Sequence, residues 1–312
     1  MITLLAPGQG AQTPRMLAPW LKDPERHRLV ENWSQRADID LIALGTTASK
    51  DEIARTENAQ PLLVTAALLA GLPVIDALAD AGQAHAAVAG HSVGELAAAA
   101  LAGALAPADA VHLAAVRGRA MAAACATTHG SMAAVLGGNL EHVTAAIESA
   151  GLTVANHNGP GQLVAAGPIQ AIEVFVAAPP AGTAVRRLQV AGAFHSAAMQ
   201  SATDIFAEAI SSVAMLDAEV PIVSNADGAF VRSATSLCER LVGQITAPVR
   251  WDLCLETFRA ADITTAICLP PADTLAGIAS RTLPSVNVLR ITSPRDIDRL
   301  SSKTKGRSDA AA

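Results

Sequence analysis

Three residue types set the chemical question. Ser92 lies in Gly90-His91-Ser92-Val93-Gly94, a G-x-S-x-G sequence that follows the apolar run 86–89 and opens an Ala-rich stretch. A strand-to-helix nucleophile elbow has this sequence, because the turn is too sharp for side chains at the two glycine positions. Such a turn lifts the serine hydroxyl clear of the backbone. It also aims the helix N-terminus, with the Val93 N–H, at an oxyanion forming beside it. The same residues allow a plainer reading, in which Ser92 caps the helix and Glu95, three residues on, closes a capping box.

A serine nucleophile needs a base. The hydrolase order is serine, acid, histidine, but the only aspartate between Ser92 and His195 is Asp109, which falls at a helix start. The glutamates there fall on helices, so an ordinary triad lacks its acid and a Ser–His dyad is the alternative. Of the eight histidines, His27, His112 and His142 fall on helix surfaces, and His85 and His129 in predicted loops. His91 belongs to the elbow, with its side chain directed away from the serine. His195, in Gly192-Ala193-Phe194-His195-Ser196, follows a strand and is flanked by small residues. Arg117 has Leu113 and Met121 four residues to either side, which puts a guanidinium on an apolar helix face. A buried cation demands a partner; the candidates are an internal salt bridge and a carboxylate on a substrate.

The rest of the chain bounds the classes of function. Its 312 residues suffice for one large domain or two moderate ones. The net charge of −6 gives no basic excess for nucleic acid. Cys125, Cys238, Cys254 and Cys268 are far apart, with neither a CxxC pair nor a disulfide framework, and are expected to be reduced; no metal site is expected. The most apolar stretch, Pro61 to Ile75, is interrupted by Thr65, Gly71 and Pro73 and is expected to be too short for a membrane span. With no signal-like N-terminus, the expected location is the cytoplasm.

These residues need an α/β frame to position them, and the segments alternate accordingly. Strands are predicted at 2–6 and 86–89, and helices at 61–80, 93–105 and 107–125. From Gly130 the order becomes strand 131–137, helix 140–150, strands 152–156 and 162–166, helix 168–177 and strand 184–190. This is the β-α-β-β-α-β pattern of a ferredoxin-like unit, placed inside a larger α/β unit. The polar tail 301–312 is expected to be disordered.

Taken together and in order, Pro7-Gly8-Gln9-Gly10-Ala11-Gln12, Gly90-His91-Ser92-Val93-Gly94-Glu95, Arg117-Gly118, the stretch 156–167, Gly192-Ala193-Phe194-His195-Ser196 and Gln244-Ile245-Thr246-Ala247-Pro248-Val249-Arg250-Trp251 resemble the malonyl-CoA:acyl carrier protein transacylases of the actinobacterial type. The resemblance runs from the first residues to about Leu300. It implies an α/β hydrolase-like core with a parallel sheet, formed by 1–128 and 195–300, and an inserted ferredoxin-like small domain, 129–194, with the active site between them. It further implies Ser92 as nucleophile and His195 as base and acid, oriented by the backbone carbonyl of Gln244 in place of the missing carboxylate. Gln9 and Val93 would supply the oxyanion hole, Arg117 would hold the malonyl carboxylate, and Phe194 and Met121 would line the acyl site. The stretch 156–162 would form the small-domain wall.

The resemblance implies malonyl-CoA and phosphopantetheinylated acyl carrier protein as partners, with no bound cofactor beyond the CoA thioester substrate; a monomer is the default expectation. A bulky residue such as Phe194 before the histidine is similar to the malonyl-selective members, so preference over methylmalonyl is expected. One departure stands out: Leu269-Pro270-Pro271-Ala272 replaces a Gly-Pro-Gly turn of many relatives. Arg186 and Arg187 are candidates for docking an acidic carrier protein, or simply a solvated strand end. The alternatives are a serine thioesterase or a polyketide-pathway acyltransferase, and a carrier-binding module without turnover.

Overall fold

The computed structural model describes residues 1–300; the tail 301–312 lies outside the described residues. Eleven strands are numbered in chain order. They are β1 (Ile2–Ala6), β2 (His85–Gly90), β3 (Gly130–Gly137), β4 (Thr153–His157), β5 (Gln162–Pro168), β6 (Thr183–Arg187), β7 (Ile222–Val223), β8 (Phe230–Val231), β9 (Val249–Arg250), β10 (Thr265–Cys268) and β11 (Asn287–Arg290). They form two sheets, ordered β11-β10-β1-β2-β7-β8 and β6-β3-β5-β4-β9.

The larger sheet is parallel from β11 through β7, with β8 antiparallel at the edge. Strands covered on both faces read as continuous apolar runs, and β1 does so. Leu4 and Ala6 enter the core on one face, while Leu5 joins Ala87 and Ala89 in the core on the other. The register pairs Leu5 with Ala89 and Ala6 with Gly90. Because the strands are parallel, the loop after β1 and the elbow after β2 emerge side by side, at the edge where open α/β sheets bind their ligands.

The helix after the elbow, Gly94–Leu101, is buried throughout. It ends before the predicted Leu105, where Gly103 takes a φ of +76°. The strand β2 begins at His85, which was predicted in a loop; its pairing with Ile2 of β1 draws it into the sheet. The helix predicted at 61–80 starts five residues earlier, at Thr56, and runs 25 residues to Asp80 through Pro61 and Pro73. Each interior proline removes a helix hydrogen bond, and packing against the Pro107–Thr128 helix, its principal neighbour, compensates. By length and composition this helix could cross a membrane, contrary to the expectation. In the fold, 72% of its apolar window is buried and it serves as a core helix.

The second sheet contains the predicted β-α-β-β-α-β order, with β3 antiparallel to β5 and β6, and β4 antiparallel to β5. Val143, Ile147, Ile172 and Phe175, from its two helices, pack on Ala133, Val135 and Leu163. A fifth strand, β9, comes from well beyond residue 194 and pairs parallel to β4. The strand β6 stops at Arg187 rather than Val190, which releases Leu188 and Val190 to line the cleft between the sheets. All four cysteines are free.

Candidate active site

The elbow is built by contact rather than by preference. A Cβ on Gly90 would fall 1.9 Å from the Gly94 carbonyl carbon, and one on Gly94 would fall 2.6 Å from Ala6 O and 2.7 Å from Pro7 O. Ser92 itself adopts φ 52°, a left-handed conformation that costs a side-chain-bearing residue about 1–3 kcal/mol and persists only where the surroundings impose it. Asn225 imposes it. Its Oδ1 accepts from the Ser92 N–H at 2.8 Å and its Nδ2 donates to the Gly90 carbonyl at 2.8 Å. No capping box forms, since the helix begins without a side-chain cap and the Ser92 hydroxyl is engaged elsewhere.

That engagement is with His195, whose Nε2 lies 2.8 Å from Ser92 Oγ. Nδ1 lies 2.8 Å from the Gln244 carbonyl. A carbonyl only accepts, so Nδ1 carries the proton and Nε2 offers its lone pair to the serine. Burial first, and the Arg117 charge second, press His195 down to about 3, which keeps the imidazole neutral. The backbone at His195 is also left-handed, φ 57°.

Arg117 is 2% exposed. Its firm contacts are neutral, Nη1 to Gln60 Oε1 at 2.8 Å and Nη2 to Gln244 Oε1 at 2.9 Å. Nη2 also lies 3.4 Å from Ser92 Oγ. Burial lowers Arg117 to about 10, partly offset by the Glu95 charge, so it stays a cation at neutral pH. Glu95 is pushed up to about 7 by burial, against the pull of the Asn225 N–H and of Arg117. No carboxylate forms an ion pair with Arg117 among the described residues. The internal salt bridge is therefore absent, and the guanidinium faces the cleft with charge to spare.

The cleft has a volume of about 190 Å³. Ser92, His195, Arg117, Gln9, Val93, Phe194 and Met121 all line it, as do Asn156, Asn158 and Gln162 of the predicted wall. The backbone N–H groups of Gln9 and Val93 find no acceptor among the described residues. Their strands emerge side by side, so both can serve an oxyanion next to Ser92. Gln244 reaches the site through its contacts with Arg117 and His195.

A family model described as acyl transferase domain matches residues 3–302. The malonyl CoA-acyl carrier protein transacylase of Mycobacterium tuberculosis is 49% identical over 300 residues, covering 96% of this chain and 99% of that one. The chain belongs to the acyl transferase family. A crystal structure of MCAT from Mycobacterium tuberculosis superposes on this acyl transferase with a TM-score of 0.93, at 49% identity, covering 96% of this chain and 99% of that one. A type II PKS acyl-carrier protein in complex with its malonyl-transacylase gives a TM-score of 0.89, at 26% identity over 97% of this chain and 99% of that one.

Several residues of the acyl transferase's site carried no signal of their own in the sequence. Gln60 accepts from Arg117 and donates to Met121 Sδ at 3.4 Å; it precedes the helix predicted at 61–80 and falls inside the observed one. Asn225 had no signal. His91, read as facing away, lines the cleft, with Nε2 2.9 Å from Asn158 Oδ1 and its ring 5.5 Å from that of Trp251. The elbow turn does separate it from the Ser92 hydroxyl, but the small-domain loop closes over it. Arg186 and Arg187 are both exposed; Arg187 donates to Ser131 Oγ and lies 3.5 Å from Glu173.

Proposed function

We propose that this acyl transferase moves the malonyl group from malonyl-CoA to the phosphopantetheine thiol of acyl carrier protein, supplying extender units for type II fatty acid synthesis. The observation that carries the reading is a buried guanidinium without a carboxylate partner, 3.4 Å from the hydroxyl of a serine that is itself 2.8 Å from a neutral imidazole. The site has a nucleophile, a base and a receptor for a second carboxylate, and a malonyl thioester engages all three. The names of the relatives agree with it.

In this reading His195 Nε2 takes the Ser92 proton as Oγ attacks the thioester carbonyl. The Gln9 and Val93 N–H groups stabilise the oxyanion. Collapse breaks the carbon–sulfur bond, and the CoA sulfur leaves with the proton from His195. The carrier thiol then gives its proton to His195 and attacks the malonyl-serine ester, and Ser92 Oγ is reprotonated as it departs. Gln244 stands where a triad carboxylate would. Arg117 holds the malonyl carboxylate bidentately, with Phe194 and Met121 against the acyl chain. Ser92 and His195 supply the chemistry, so the reaction asks for no resident cofactor.

The division into a hydrolase-like part, 1–128 and 195–300, and a ferredoxin-like insert, 129–194, is supported by the order β6-β3-β5-β4 with antiparallel neighbours. The insert borrows β9. Arg186 and Arg187, both exposed at the end of β6, are the proposed contacts for an acidic carrier protein, with the chain acting as a monomer in the cytoplasm.

Intact-mass spectrometry tests the function. The protein mixed with malonyl-CoA should gain a malonyl adduct that moves to added phosphopantetheinylated carrier protein and is missing in Ser92→Ala. An adduct lost to free malonate at the same rate with or without the carrier would mean a hydrolase.

A further inference from the structure

Glu95 is 4% exposed and touches neither Ser92 Oγ nor His195, yet the site converges on it. Its Oε1 accepts from the Asn225 N–H at 2.6 Å and its Oε2 accepts from Gln244 Nε2. Gln244 in turn meets Arg117 through its amide oxygen and His195 through its backbone carbonyl. Above about pH 7, the value to which burial raises it, the Glu95 carboxylate is ionised and only accepts, while a guanidinium only donates. The Gln244 amide between them has one workable orientation, with its NH₂ on Glu95 and its oxygen on Arg117. Flipping it would set donor against donor at Arg117 and acceptor against acceptor at Glu95.

We propose that Glu95 is a positioning residue for malonyl recognition: it locks the Gln244 amide so that Arg117 is held with its fork beside Ser92. The proposal rests on the malonyl-transfer reading of the cleft. Arg117 has no carboxylate of its own to fix its direction, and a long cation held by two neutral oxygens is only as well aimed as those oxygens are. Gln60 holds one nitrogen and Gln244 the other. Through Asn225, which bonds both Gly90 O and the Ser92 N–H, the same carboxylate also steadies the elbow. The glutamate that ends Gly-His-Ser-Val-Gly-Glu thus stands behind the nucleophile and the carboxylate receptor together.

The experiment measures, above pH 7 where Glu95 is ionised, how fast malonyl-CoA and acetyl-CoA acylate Ser92, by intact mass, in wild type, E95Q and Q244M, with thermal unfolding recorded for each. E95Q keeps the shape but introduces a donor where both neighbours donate, so one contact must be lost. The malonyl rate is expected to fall about 10- to 100-fold further than the acetyl rate, because acetyl does not use Arg117. Q244M, which removes the amide and keeps the backbone carbonyl, should lose the same preference, and E95Q should add less than about threefold to it. Should E95Q fail to fold, E95D serves instead. It keeps the charge and withdraws the oxygens by one carbon–carbon bond, so the malonyl-to-acetyl ratio should still fall. A wild-type ratio in E95Q or E95D, or full additivity with Q244M, would overturn the proposal. So would a ratio that rises, the mark of a negative charge that merely competes with malonyl. Failure of the transfer reading is separate and shows in wild type, as no malonyl adduct on Ser92.

Discussion

In the proposed malonyl-transfer reading, Arg117 decides what the cleft can select. Burying a guanidinium is costly, and here it is satisfied by two amide oxygens and no carboxylate. An incoming carboxylate completes it, whereas an acetyl group leaves it as it was. Removing one partner of a buried ion pair costs about 3–5 kcal/mol, so Arg117→Ala is expected to reduce kcat/KM for malonyl-CoA by roughly 100-fold or more. Acetyl-CoA should lose far less, and the malonyl preference should collapse. Arg117→Lys should behave more like alanine than like wild type, because a point charge cannot replace a planar fork bonded to Gln60, Gln244 and a carboxylate at once. Kinetics with both thioesters on both variants check this. An unchanged malonyl-to-acetyl ratio in Arg117→Ala would remove Arg117 from substrate recognition.

At the scale of elements, the site depends on how closely β1, β2 and the Gly94–Leu101 helix approach. Gly94→Ala would place a methyl 2.6 Å from Ala6 O, and neither strand can retreat, because each is paired on both sides within the sheet. The expected outcome is a displaced elbow: activity down by at least about 100-fold, as misplacements of about 1 Å can cost, with a loss of stability of about 1–3 kcal/mol. Assay and chemical denaturation together measure it; full activity would mean that the turn tolerates the extra atom. This approach also explains what the sequence revealed. The glycines of the elbow, the alternation across β1 and the β-α-β-β-α-β order follow from local sterics and period, so they were legible. Ser92 and Arg117 stood out as types out of place in their local pattern, whereas His195 was one histidine among several until the family resemblance singled it out. Gln60, Asn225 and the second role of Glu95 were not legible, since an amide's donor and acceptor gain meaning only from groups 57 to 149 residues away. Helix 61–80 was legible, but its start at Thr56 was not, because Pro61 is tolerated inside it by tertiary packing, which no local rule contains.

Across the whole molecule, burying these groups ties stability to pH in two opposing ways. His195, ordinarily near 6.5, is held down to about 3 in the folded protein. Between those values the unfolded chain binds the proton and the folded chain does not, so this contribution is intact above about 6.5 and is lost as the pH falls. Glu95 runs the other way, raised from 4.5 to about 7. The folded protein holds its proton where the unfolded chain has released it, so that contribution is intact below about 4.5 and is lost as the pH rises through 7. Over the shared window the two slopes offset one another, each at most about 1.4 kcal/mol per pH unit. Removing His195 should take away its own share of the slope. His195→Asn keeps a neutral polar side chain and abolishes the excluded proton, so relative to wild type it should gain about 1 kcal/mol in unfolding free energy for each unit of acidification from pH 6 to 5. Its remaining pH slope combines Glu95 with His91, His85, His112 and His157, which burial also holds below the ordinary histidine value. Urea unfolding of both proteins at pH 5, 6 and 7 measures the two trends, and curves that stay parallel across that range would mean that folded His195 takes up its proton as readily as the unfolded chain does.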